Sequence, residues 1–179
     1  MKLSLFDDSH TDAVIDLLRQ AFTDSEGKEE GEMIATLVAE LIESTEPSSL
    51  VGFMASNHDD ELLGAIFFSR FTVSDQSSAF ILSPVGVSTD VQGSSVGQSL
   101  ITFGLDYLKM QDVEFVLTYG DPNYYTRVGF QQITESLIPA PFPLSQPHGW
   151  MAQSLNSKPL SQKPGPTRCV TALSKPEYW

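Results

Sequence analysis

The sequence predicts a mixed α/β domain on a sheet that is antiparallel at its centre, and three observations predict it. The middle of the chain reads as three strands in succession, "SLVGFMAS", "LLGAIFFSRFTV" and "AFILSPVGVS", the first two joined by the hairpin loop "NHDDE". A strand–helix–strand unit then follows, ending in "VEFVLTYG". Hairpin-linked strands pair antiparallel, and a strand–helix–strand unit adds a parallel pair. The 179 residues fit one domain with enough chain to bury a core.

Taken in order, "KLSLF" is a short strand. Ser9 reads as the cap of a first helix, with Asp12 three residues on in the manner of a capping box. Val14, Leu17, Leu18, Ala21 and Phe22 share one face of it. "TDSEGKEEGE" is acidic and carries glycine, so it reads as a loop or a frayed helix start. A second helix carries the apolar stripe Ile34, Leu37, Val38, Leu41 and Ile42, and Pro47 ends it. In the third strand of the central run, Pro84 has no N–H to give a ladder, so the strand must be bulged, splayed or at an edge there. The next helix spans about Ser95 to Met110. "VEFVLTYG" is apolar nearly throughout and is placed centrally. Asp121 caps a short helix with Pro122 at its first position. "GFQQI" is a strand. "LIPAPFPLSQPHG" holds four of the chain's eleven prolines and reads as a surface loop. "WMAQSL" and "TRCVTAL" are the closing strands.

Composition narrows the function classes. Hydrophobic residues are 41% and charged residues 18%, ordinary for a folded protein. No apolar run approaches the ~20 residues that span a bilayer, and the N-terminus lacks the pattern of a signal peptide. The net charge of −13 argues against a nucleic-acid partner. His10, His58 and His148 have no metal-ligand spacing. The single cysteine, Cys169, excludes an internal disulfide, points to a reducing, cytoplasmic setting, and reads as a small apolar residue of a buried strand.

The chemistry-bearing stretch is "VQGSSVGQSLI". It lies between a strand and a helix, where the first helical N–H groups lack partners and the dipole is positive. A phosphate can take those donors if the local side chains are small, and Gly93, Ser94, Ser95 and Gly97 meet that condition. A Walker loop is excluded because Gln98 follows Gly97, and a G-x-G-x-x-G fingerprint is absent. Gln92 to Gly97, "QGSSVG", instead matches Gln/Arg-x-x-Gly-x-Gly/Ala, with Ser95 at the fourth position.

On that turn, on the unit "VGVSTDVQGSSVGQSLI" and on "YYTRVGF" downstream, with Tyr125, Gly129 and Phe130 in register, the chain resembles the GNAT N-acetyltransferase superfamily. "GDPNYYTRVGF" and the helix around Glu32 to Val38 are most similar to its branch of small bacterial YhbS-like proteins. Thr89 stands where the pattern usually has proline, and Ser94 where it is often basic. The likeness covers residues 1–135 best; 136–179 is a loop-rich part that completes the sheet. It implies one acetyltransferase domain over 1–179. Its sheet would be mixed and mostly antiparallel with a splayed parallel pair, flanked by about four helices.

The resemblance also implies a chemistry. Acetyl-CoA is the cosubstrate, its pyrophosphate lying over Gln92, Gly93, Ser94, Ser95, Val96, Gly97 and Gln98. Backbone groups of Val85, Gly86 and Val87 bond the pantetheine arm, and an N–H near Val85 meets the oxyanion. Asn123 and Tyr125 approach the thioester sulfur. A deprotonated amine of a small molecule or peptide attacks directly in a ternary complex. Tyr125 is the general acid for the departing thiolate, since a phenol of pKa about 10 and a thiol of about 8.5 are close enough for transfer. Tyr124 is packing. Glu26, Glu29, Glu30, Glu32 and Asp90 are carboxylates without an assigned role. Five acidic residues from Asp24 to Glu32, against Lys28, suit a cationic acceptor. A homodimer is an option; nucleic acid and membrane are not expected partners. The reading from a different class is a non-catalytic acyl-CoA sensor or protein-interaction domain, which has no need of Tyr125.

Overall fold

The computed structural model describes residues 1–179. Seven strands form one sheet in the order β1-β2-β3-β4-β5-β7-β6. They are β1 (Lys2–Leu5), β2 (Leu50–Ser56), β3 (Leu62–Phe71), β4 (Ala79–Val87), β5 (Phe115–Tyr119), β6 (Gln131–Gln132) and β7 (Trp150–Ser154). β1 with β2, β5 with β7, and β6 with β7 are antiparallel, whereas β4 and β5 are parallel. A parallel pair needs a crossover, and α3 (Val96–Met110) supplies it. The other helices are α1 (Thr11–Glu26), α2 (Lys28–Ser44) and the short α4 (Pro122–Tyr125). This is the mixed sheet expected, with β5 inside it and one parallel pair. No helix is long and apolar enough to cross a membrane.

Backbone contacts group the chain into two compact units: Met1–Phe68 with Pro84–Gly104, and Ser69–Ser83 with Leu105–Trp179. In the first, Val14 and Leu18 of α1 and Leu37, Val38 and Leu41 of α2 are buried to 1% exposure or less. Gly31 lets α2 lie against α1, because a Cβ there would collide with Thr23 and the Arg19 carbonyl. Gly104 of α3 likewise sits on Phe68, which packs edge-on to Phe53 at 5.9 Å. In the second unit, Trp150 is fully buried and its indole N–H donates to the Ile138 carbonyl at 2.8 Å. The proline-rich loop is pinned by that bond.

Three local expectations are corrected. The first helix begins at Thr11; its entry is held by Asp7, not Ser9, the Asp7 carboxylate accepting from the Ser9 N–H at 3.0 Å. The acidic stretch is helical, and the chain breaks only at Gly27, whose φ of +106° favours glycine. Local charge masked two helices joined by one residue. Finally, "TRCVTAL" is not a strand. Thr72 and Arg168 form an isolated bridge, and a 3-10 turn follows at Thr171–Leu173. Cys169 is therefore half-buried outside any strand, and burial pushes its thiol above the ordinary value.

The C-terminal segment is fastened instead by an ion pair. Lys163, 6% exposed, donates to Asp75 at 2.6 Å and to the Ser77 hydroxyl at 2.9 Å, and lies over the Phe115 ring. The Lys163 ammonium, with the Ser77 donors, holds the Asp75 carboxyl at about 2. A carboxyl depressed in the folded state stabilises above its unfolded value and loses that contribution as pH falls through the folded one. Asp75→Asn leaves a buried ammonium without its counter-charge and is expected to cost about 1–3 kcal/mol at neutral pH. Urea melts of both proteins should show the gap narrowing between about pH 4 and pH 2; a gap independent of pH would mean the pair contributes no charge-dependent stability.

Candidate active site

The first unit carries one half of the expected chemistry. Register between β4 and β5 ends at Leu82↔Thr118, while β4 runs on through Pro84 to Val87. Pro84 thus sits just past the last pair, as a residue without an N–H should. On its β3 side the chain stays tied, the Ser88 N–H donating to the Leu63 carbonyl at 2.8 Å. Gly86 is packed under Leu18 of α1, where any side chain would collide.

Beyond Val87 a 3-10 turn, Thr89–Val91, leads into the glycine-serine turn. Thr89 donates to Asp24 of α1 at 2.6 Å, and Asp24 also accepts from Gln20 at 2.6 Å. The position where the related pattern has proline is thereby held by a side-chain bond. Gln92, Gly93, Ser94 and Ser95 are exposed, while Val96 and Gly97 are buried and Gln98 is intermediate. Gly93 has φ +80° and open space where a Cβ would stand. The Ser99 N–H is the first to close back into the helix, onto the Ser95 carbonyl at 2.9 Å. The N–H groups of Val96, Gly97 and Gln98 precede it and have no acceptor within the helix. Small exposed side chains around helix-start donors make a place for an anion.

Ser95 explains its own oddity. Its φ is +67°, a left-handed conformation that an L side chain resists and glycine does not. Ser95→Gly is expected to stabilise the protein by about 1 kcal/mol, read as a higher urea midpoint at unchanged slope. A lower midpoint would show that the hydroxyl compensates the strain.

The acidic residues are partly committed. Besides Asp24, Glu32 pairs with the Arg19 guanidinium at 3.4 Å. Glu30 has its carboxyl pushed up by partial burial and then by the negative Glu26 across the Gly27 break. Glu29 and Asp90 are exposed.

The second unit holds the tyrosines. Asp121 caps α4, accepting from the Asn123 N–H at 2.9 Å, and the Asn123 side-chain amide turns back onto the same carboxylate at 3.1 Å. The Tyr125 ring stands edge-on to Tyr124 at 5.1 Å and to Phe130 at 5.8 Å. Gly120 is required beneath it, since a Cβ there would come within 2.7 Å of the ring. Burial pushes the Tyr125 phenol up to about 12, opposed by a hydrogen bond with Thr118. Burial also raises Tyr124. Sequence reading passed over Thr118 and Gly120. The available signal was the threonine inside the apolar run "FVLTY" and the glycine that directly follows the run.

No family model matches the chain. The uncharacterised N-acetyltransferase YjhQ of Escherichia coli strain K12 is 33% identical over 142 residues, covering 76% of this chain and 77% of YjhQ. The crystal structure of the GNAT family N-acetyltransferase YhbS from Escherichia coli, in complex with CoA, superposes with a TM-score of 0.81 at 21% identity, covering 97% of this chain and 92% of that one. A GNAT family acetyltransferase from Brucella melitensis, in complex with acetyl-CoA, gives 0.70 at 21% identity, covering 96% and 97%.

Proposed function

Because the chain belongs to the GNAT N-acetyltransferase superfamily, we propose that it transfers an acetyl group from acetyl-CoA to an amine of a small molecule or peptide, residues 1–179 acting as one transferase domain. The observation that carries this reading is the turn from Gln92 to Gly97, with Gly93 open to solvent and the start of α3 directly behind it. That turn suits the pyrophosphate of CoA, the ligand of the YhbS structure.

The roles follow from the residues. The turn from Gln92 to Gln98 receives the pyrophosphate through the backbone N–H groups of Val96, Gly97 and Gln98 and the hydroxyl of Ser95, the Ser94 N–H and hydroxyl being held by the Val91 carbonyl. The pantetheine amides take backbone partners on Val85 to Val87, beyond the last pair of the β4–β5 ladder. One N–H near Val85 meets the developing oxyanion. Asn123 lies two residues ahead of Tyr125 on α4 and holds the helix start through Asp121. The amine attacks in the deprotonated form, in a ternary complex that replaces a bimolecular encounter. Tyr125 donates a hydrogen bond, and then its proton, to the leaving sulfur. Its pKa, raised to about 12 by burial, keeps the phenol protonated at neutral and mildly alkaline pH.

The test is release of free CoA thiol from acetyl-CoA against a panel of amines, amino acids and peptides, with the acetylated product identified by mass. Release with at least one amine supports the transferase. Acetyl-CoA binding with no release across the panel would point instead to an acyl-CoA sensor on the same fold.

A further inference from the structure

We propose that the hydrogen bond between Thr89 and Asp24 is a tether that holds the glycine-serine turn in the shape that receives CoA, so that Asp24 is a positioning residue for the cosubstrate; this rests on the pyrophosphate reading of that turn. The starting point is how the chain is held between β4 and α3. The Ser88 N–H donates to the Leu63 carbonyl of β3 at 2.8 Å, and the Ser99 N–H closes onto the Ser95 carbonyl at 2.9 Å. In between, backbone bonds reach near neighbours: Val91 N–H onto Ser88, Gln92 onto Thr89 and Ser94 onto Val91. Such bonds shape a turn without placing it against the rest of the unit. Thr89 supplies the placement, its hydroxyl donating at 2.6 Å to a carboxylate 65 positions earlier in the chain.

Asp24 is held ready for this contact. A carboxylate accepts on both of its oxygens. Gln20, one turn back on α1, donates its amide to Oδ1 at 2.6 Å, and Thr89 donates to Oδ2. The Gln20 bond is an i, i+4 pair on one helix face, and it orients the carboxylate before Thr89 reaches it. α1 is itself fixed on β4, since Leu18 is fully buried and lies directly over Gly86. The tether therefore joins the turn to a helix that is already seated on the preceding strand, and all of these residues belong to the first unit. Without it the turn visits other placements. Apparent affinity then falls by the fraction of molecules in which the turn is ready.

Charge alone predicts the opposite sign. A carboxylate beside a site for a polyanion weakens binding if it does nothing else, so removing it would tighten CoA. The backbone also offers a substitute for the tether. Ser88 has φ −48° and ψ 135°, which a following proline accepts, and Thr89 is the first residue of its 3-10 turn, where the N–H is not used by the turn. Thr89→Pro therefore fixes the same backbone with no side-chain bond.

The test measures CoA affinity by calorimetry at one ionic strength. It also follows exchange of the Val91, Gln92 and Ser94 amides by NMR in ligand-free protein. Thr89→Val and Asp24→Ala should each raise the Kd for CoA about fivefold, the worth of one hydrogen bond. The double variant should lose no more than either single one. Thr89→Ser should bind like the wild type, and so should Thr89→Pro, in which Asp24→Ala should cause no weakening. The three amides should exchange faster in Thr89→Val and in Asp24→Ala, and at the wild-type rate in Thr89→Pro. Tighter binding by Asp24→Ala, additive losses in the double variant, or unmoved amides would each overturn the tether. So would a lower Tm in Thr89→Val at unchanged Kd, the mark of a merely structural threonine. If the wild type binds CoA and Asp24→Ala binds it equally well, the tether falls and the pyrophosphate reading stands. If the wild type binds no CoA, that reading falls and takes the role of Asp24 with it.

Discussion

Tyr125→Phe lowers kcat by about 100-fold or more while leaving CoA affinity nearly intact, the loss typical of a removed general acid. The ring stays, so its packing against Gly120 and Phe130 is kept. Only the hydroxyl is removed. Burial sharpens the expectation. With the phenol pushed up to about 12, full transfer to a thiolate whose conjugate acid is near 8.5 is uphill by about 3.5 units, or about 5 kcal/mol. What Tyr125 offers first is a strong hydrogen bond that tracks the developing charge on sulfur. The sign of the pH dependence follows. The working form is the protonated one, so activity that depends on it is lost only as pH rises through about 12. A kcat profile followed to pH 10 should show no alkaline limb from this group. A limb near pH 9 that disappears in Tyr125→Phe would place the phenol far below that value, and equal turnover in the variant would remove Tyr125 from the mechanism.

Acetyl-CoA or CoA should stabilise the fold strongly. A ligand at 100 times its dissociation constant adds about 2.7 kcal/mol, which for a chain of this size is a rise of roughly 5–10 °C in Tm. Ser94→Asp separates binding from folding. Ser94 is exposed on the turn just ahead of α3. A carboxylate there faces the positive end of the helix and should raise the ligand-free Tm slightly, by about 0.3–1 kcal/mol of stability. The same charge opposes the pyrophosphate, so the CoA-induced shift should collapse. The two effects have opposite signs, and loss of the shift cannot then be blamed on a damaged fold. An undiminished shift in Ser94→Asp would mean that CoA does not use this turn.

Much of the fold was legible because its signals are local. Alternation and the "NHDDE" loop placed β2 and β3, and Pro84 announced a departure from regular pairing. The turn at Gln92–Gly97 was readable because phosphate binding demands a scarcity of side chain, which shows in sequence. The misread parts depend on what lies elsewhere in the chain. "TDSEGKEEGE" is helical because α1 and α2 cover each other's apolar faces, with Gly31 allowing the approach. Its charges hid that. "TRCVTAL" has strand propensity but finds only Thr72 to pair with. Ser95 as a departure from glycine was visible, but its left-handed backbone was not.

The aromatic cluster of the second unit has an optical consequence. The chain has two tryptophans, Trp150 and Trp179, and their rings stand 5.9 Å apart, with Tyr119 stacked on Trp179 at 6.2 Å. All tryptophan emission therefore comes from one place, within Leu105–Trp179. Both fluorophores are nearly shielded from water and will redden together when that unit opens. The glycine-serine turn, α1 and α2 belong to the other unit and carry no tryptophan. A melt followed by fluorescence watches one unit, whereas circular dichroism is weighted towards the helices of the other. Superimposable curves would certify a single cooperative transition. Separated curves would turn the two tryptophans into a built-in reporter of which half yields first, and a CoA effect seen by dichroism alone would locate the stabilisation in the half that holds the turn.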